Sequence, residues 1–157
     1  MRLPGWKRFL RLDASQSDLG NPSSMMTDSQ RASLAMAANQ AAAKAYAPYS
    51  RFRVGAALLD AEGRVFEGCN VENASYGLCL CAERNALASA IAGGSRRFVG
   101  MAVACLDAKP ELGLKGRMPC GACRQWLLEL APDAELVVAG TDRVFPVRAL
   151  LPDGFEL

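Results

Sequence analysis

Three cysteines and one glutamate carry the chemistry of this chain. Cys81-Ala82-Glu83 lies upstream of Pro119-Cys120-Gly121-Ala122-Cys123, in a sequence without a single histidine. A lone cysteine and a Cys-x-x-Cys pair offer three soft thiolates, one fewer than closes a tetrahedral zinc site. Catalytic zinc sites keep that fourth position for water. A carboxylate two residues from the lone cysteine stands where a proton shuttle for that water is wanted. Three thiolates on a divalent ion leave a net negative site, which acidifies water poorly unless something offsets the charge. Arg84, next to Glu83, is placed to donate hydrogen bonds to the ligand sulfurs, and Arg124 follows Cys123.

Plainer readings stand beside this one. Cys79 is two residues before Cys81, so Cys79, Cys81, Cys120 and Cys123 could form a closed four-cysteine structural site in a non-enzymatic zinc module. Glu83 could be no more than an acidic residue in the first turn of a helix. Each alternative competes when a motif is taken singly. Cys-x-Glu followed by Pro-Cys-x-x-Cys is far more specific than its parts.

The ligands must be positioned by the elements around them. Thr27 and Gln30 have capping-box spacing, which predicts a helix running to Tyr46 and stopped by Pro48. Residues 52–59 and 64–69 read as strands joined by Asp60-Ala61-Glu62-Gly63, a hairpin. A loop over 70–78 leads to a helix over 81–91, ended by Gly93-Gly94. A buried strand over 98–105, a loop over 107–118, a helix over about 120–130 and short strands over 136–139 and 144–147 follow. Cys81 and the Cys120/Cys123 pair thus fall at helix starts, where unpaired N–H groups favour thiolate. The order αββαβαββ predicts a layered α/β domain: a three-layer α-β-α sandwich on a mixed, about five-stranded sheet.

The 157 residues suit one domain, expected over 27–157, and 51% of them are apolar, a surplus that leaves room for a subunit interface. Residues 1–26 read as a separate, disordered N-terminal extension, with a possible second start at Met25 or Met26. A transit peptide or membrane-surface helix is the sharper alternative there, opposed by Asp13 and Asp18. The net charge of +2 is spread among mixed signs, which argues against nucleic acid. No apolar run is long enough to span a bilayer. The six cysteines, without a secretory signal, read as reduced thiols, and a cytoplasmic location is expected.

The zinc nucleobase deaminases carry this signature, with the Glu as general acid/base and not a ligand. Pro48-Tyr49-Ser50, Phe52, Val54-Gly55-Ala56-Ala57-Leu58 and Gly68-Cys69-Asn70-Val71-Glu72-Asn73-Ala74 extend the match, together with Cys81-Ala82-Glu83-Arg84 and Pro119-Cys120-Gly121-Ala122-Cys123-Arg124-Gln125. From about Thr27 to Phe155 the chain resembles the small homotetrameric cytidine deaminases. The resemblance implies one Zn2+ per subunit held by Cys81, Cys120 and Cys123, with Glu83 moving protons and Arg84 supporting the sulfurs. It places Asn70 and Glu72 on the sugar hydroxyls, Phe52 and Ala82 at the substrate, and Phe155 at the base in a neighbouring subunit. The implied reaction is hydrolytic deamination of cytidine and 2′-deoxycytidine, with blasticidin S as the alternative small-molecule substrate. Cys79, where a small residue such as threonine is expected, and the long 107–118 loop depart from the pattern.

Overall fold

The computed structural model describes residues 25–155. The capping box forms as the sequence predicts: Thr27 Oγ1 accepts from Gln30 N at 3.2 Å and Thr27 N donates to Gln30 Oε1 at 2.8 Å. It opens helix α1 (Asp28–Ala42). Strands β1 (Val54–Asp60) and β2 (Val65–Cys69) make the expected hairpin, locked by Asp60 Oδ1, which accepts from the backbone of Glu62 and Arg64. Helix α2 (Ala82–Ala92), strand β3 (Phe98–Cys105), helix α3 (Gly121–Leu130) and strands β4 (Glu135–Val138) and β5 (Val144–Pro146) complete the chain.

The sheet order is β2-β1-β3-β4-β5, antiparallel except for the parallel β3–β4 pair that α3 connects. Strand alternation divides the core into two layers. Ala56, Leu58, Met101, Val103, Leu136 and Val138 face Ala86, Leu87 and Leu127 of α2 and α3. Ala57, Leu59, Ala102, Ala104 and Val137 face Leu34 and Ala38 of α1. The three layers follow from that alternation.

Small residues bring the helices down onto the strands. A Cβ on Gly68 of β2 would lie 2.4 Å from both Ala82 O and Ala86 N of α2. Gly68→Ala therefore has to push α2 off the sheet, and we expect a loss of roughly 1–3 kcal/mol of stability. A lower urea midpoint with an unchanged slope would show it; an unchanged midpoint would mean that α2 has room to lift.

Three expectations shift. α1 ends at Ala42, before Tyr46 and Pro48, because Tyr46 leaves the helix to pair with Val71: Tyr46 N donates to Asn70 O at 3.0 Å and Glu72 N to Tyr46 O at 2.8 Å. The 107–118 loop contains 3-10 turns over Pro110–Gly116, kinked at Gly113 with φ of 54°. Met26, placed by the sequence in the N-terminal extension, is 2% exposed in the α1-side core, and its N–H donates to Glu135 Oε2. Residues 1–24, where the rest of that expected extension falls, lie outside the described residues.

Candidate active site

The register defines one end of the sheet as the site. Gly55 pairs with Cys69 and Val54 with Cys105, so the start of β1 lies between the ends of β2 and β3. Past β2, Val71 pairs in both directions with Leu80, at 2.9 Å each way, while Tyr46 pairs on its other side. That double pairing sets Asn70 and Glu72 beside the residues that lead into Cys81.

Cys81 is the N-cap of α2 and Cys120 the N-cap of α3, and neither cap residue makes a side-chain capping bond. Both sulfurs therefore stand at helix starts whose first N–H groups have no partner within the helix. Cys81 Sγ lies 3.8 Å from Cys120 Sγ, and Cys120 Sγ lies 3.6 Å from Cys123 Sγ. Zinc–sulfur bonds of about 2.3 Å in a tetrahedron put sulfurs about 3.8 Å apart. Two of the three separations match that spacing, and all three sulfurs lie within 4.8 Å of one another. They are the group among the described residues that could hold a metal ion, and three ligands would leave a tetrahedron open.

Cys79 stands outside this group, although it lines the cavity beside it. Its Sγ accepts from Asn73 N at 3.2 Å and lies 3.5 Å from Asn73 O. Arg84 does what the sequence suggests: Nη2 donates to Cys79 O at 3.1 Å and reaches Cys81 Sγ at 3.7 Å. Arg124 does not. Its Nε donates to Pro119 O and its Nη1 to Leu150 O, so it braces the turn before Cys120 instead of the sulfurs. The hydrogen bond with Cys123 holds the Cys81 thiol down to about 5 against partial burial, with help from Arg84. Cys123, facing that sulfur and fully buried, is pushed up.

Glu83 sits in the first turn of α2 at 4% exposure and lines a cavity of about 270 Å³ next to Cys81 and Cys120. Burial raises its carboxyl above the ordinary value; its own backbone N–H opposes the rise and the Cys81 charge adds to it. Phe52, Asn70, Glu72 and Ala82 line the same cavity, so four of the five substrate residues expected from sequence converge with the metal group. Phe155 does not. The residue is 69% exposed, and its backbone is tied to Gln125 through both N–H and C=O.

Asn70 and Glu72 are engaged more heavily than their types alone suggest. Asn70 Oδ1 accepts from Val54 N and its Nδ2 donates to Phe52 O, which fixes the segment carrying the Phe52 ring. Glu72 accepts from Tyr49 N, Ser50 N and the Ser50 hydroxyl. The Ser50 bond and those backbone donors hold its carboxyl below the ordinary range, against some desolvation. Ser50, Cys105, Arg117 and Met118 shape the site as well, the last three as cavity lining. Ser50 lies in a block quoted above without a role. Nothing local in the sequence marks the other three, which are brought in by the end of β3 and the return of a long loop.

The family model for the cytidine and deoxycytidylate deaminase zinc-binding region matches residues 28–140. A cytidine deaminase of Mycobacterium tuberculosis is 49% identical over 120 residues, 76% of this chain and 85% of that protein. One from Halalkalibacterium halodurans is 47% identical over 120 residues, 74% and 86% of the two chains. The crystal structure of cytidine deaminase from Burkholderia pseudomallei superposes with a TM-score of 0.69 at 48% identity, covering 83% of this chain and 100% of that one. With its three sulfurs within 4.8 Å of one another and a buried glutamate beside them, this chain belongs to the zinc-binding cytidine and deoxycytidylate deaminase family.

Proposed function

We propose that the chain catalyses hydrolytic deamination of cytidine and 2′-deoxycytidine to the uridine products with release of ammonia. The observation that carries the reading is the Glu83 carboxyl, buried in the same cavity as an open three-sulfur group. Cys81, Cys120 and Cys123 hold Zn2+, one per subunit, and bound zinc supplies the Lewis acidity that makes water a nucleophile at neutral pH. Glu83 takes a proton from the attacking water and delivers it to N3 of the ring as oxygen bonds to C4. It then passes the remaining hydroxyl proton to the amino group, which leaves as ammonia. Arg84, through its contact with Cys81 Sγ, offsets the negative charge of three thiolates. Asn70 and Glu72 hold the sugar hydroxyls, while Phe52 and Ala82 bound the base.

The exposed Phe155 is assigned to the base site of a neighbouring copy in a homotetramer with shared sites. The aromatic and aliphatic surface near the site (Tyr46, Tyr49, Tyr76, Leu78 and Leu80) supports burial between copies. A cytoplasmic role in pyrimidine salvage suits free thiols. No helix among the described residues is long and apolar enough to cross a membrane.

Ultraviolet assay on cytidine with and without a zinc chelator tests the reading, with blasticidin S and a cytosine-containing oligonucleotide as parallel substrates. We expect chelator-sensitive ammonia release from cytidine and little from the other two. Turnover of blasticidin S alone would assign a different small-molecule deaminase. Turnover that persists after zinc is removed would overturn the metal assignment.

A further inference from the structure

The 106–118 loop leaves the site at Asp107 and returns to it at Arg117 and Met118, which line the cavity just before Cys120. Its outgoing end is fastened to the residue after Phe52. Arg53 N and Nε both donate to Asp107 Oδ2 at 2.9 Å, and Arg53 Nη2 donates to Asp107 Oδ1 at 2.8 Å. Leu106 N donates to Arg53 O at 3.0 Å, carrying the β1–β3 ladder past its last pair, Val54 with Cys105. The returning end is held more loosely, by a 3.9 Å contact from Cys105 Sγ to Arg117 O and by packing of Leu114 and Met118 on the core.

An ordinary surface ion pair contributes little, because both side chains give up rotamer freedom in a high-dielectric setting. This pair differs in geometry. A two-pronged guanidinium–carboxylate contact is reinforced by a backbone N–H from the same residue, so three bonds define one relative position. The Arg53 and Asp107 side chains are 46% and 29% exposed, and neither residue lines the cavity. What they join are the segments that do: Phe52 on one side, Arg117 and Met118 at the far end of the other.

We propose that the Arg53–Asp107 clasp is a positioning device that sets the spacing between the Phe52 wall and the loop wall, and so sets affinity for the nucleoside without entering the chemistry. The proposal rests on the deaminase reading above. Arg53 and Asp107 act through Phe52 and Met118 and are positioning residues.

The experiment is a double-mutant cycle with Arg53→Ala, Asp107→Ala and their combination, read by cytidine kinetics, zinc content and hydrogen exchange of the 106–118 amides. KM is expected to rise on the order of 5–10-fold in each single variant, with kcat within about twofold and zinc content unchanged. The combination should be no worse than the worse single variant, because both remove one interaction. Loop amides should exchange faster in all three. Asp107→Asn keeps an acceptor for the Arg53 backbone and Arg53→Lys keeps the charge, so both should fall between parent and alanine. A KM unchanged in both single variants, additive losses, or a fall in kcat at constant KM would each overturn the clasp as a positioning device. A parent that releases no ammonia from cytidine would instead overturn the deaminase reading, and loop exchange would still report whether the clasp holds the loop.

Discussion

Glu83→Gln is expected to keep its zinc and lose roughly 10²- to 10⁴-fold in kcat for cytidine. The substitution is nearly isosteric, so the first turn of α2 and its packing under the sheet persist. What it removes is the ability to accept and return a proton at a position 4% exposed, where bulk water is poorly placed to substitute. Phe52, Asn70 and Glu72 are untouched and converge from other segments, so KM should change little. Steady-state kinetics with metal analysis on the same preparation checks both halves. Full turnover with full zinc would assign Glu83 to helix structure alone.

The second large effect separates an open metal site from a closed one. Cys123→Ser should lose most of its bound zinc and with it the activity, because a buried hydroxyl replaces a thiolate whose neighbour lies 3.6 Å away. Cys79→Ser should retain zinc near one per chain and at least about half of the parent kcat. Its sulfur is occupied with the backbone of Asn73, and serine can make the same bonds. Metal analysis of the two variants side by side is decisive. If Cys79→Ser lost zinc as severely as Cys123→Ser, the site would be a four-cysteine structural one, and water would have no position on the metal.

The local grammar of the sequence was a sound guide wherever a feature is determined by neighbours along the chain. Thr27 and Gln30 announced the helix start, Asp60 to Gly63 the hairpin, and the cysteines their positions at helix N-termini. It was poor wherever backbone pairing comes from far away. Tyr46 reads as helix, yet its N–H and C=O are claimed by Asn70 and Glu72, and α1 ends early as a result. Met26 reads as tail because only the folded Glu135 gives its N–H a partner. Arg124 reads as a donor to sulfur by adjacency, whereas helical geometry turns it toward Pro119 and Leu150. The resemblance expects Asn70 and Glu72 at the sugar, and the structure places both in the cavity lining. That they also brace Phe52 and Ser50 depends on strand register, which no local pattern expresses.

The flush contact between Gly68 and α2 divides what mutation can reach. Cys81 and Glu83 ride on a helix laid against β2 with no side chain between, so almost any enlargement there displaces one of the three sulfurs and the carboxyl beside it. The walls of the cavity hang on side-chain hydrogen bonds, such as Arg53 to Asp107 and Glu72 to Ser50, which can be exchanged one pair at a time. Substitutions at the rim can therefore reshape what the cavity admits, whereas substitutions beneath α2 disturb Cys81 and Glu83 themselves.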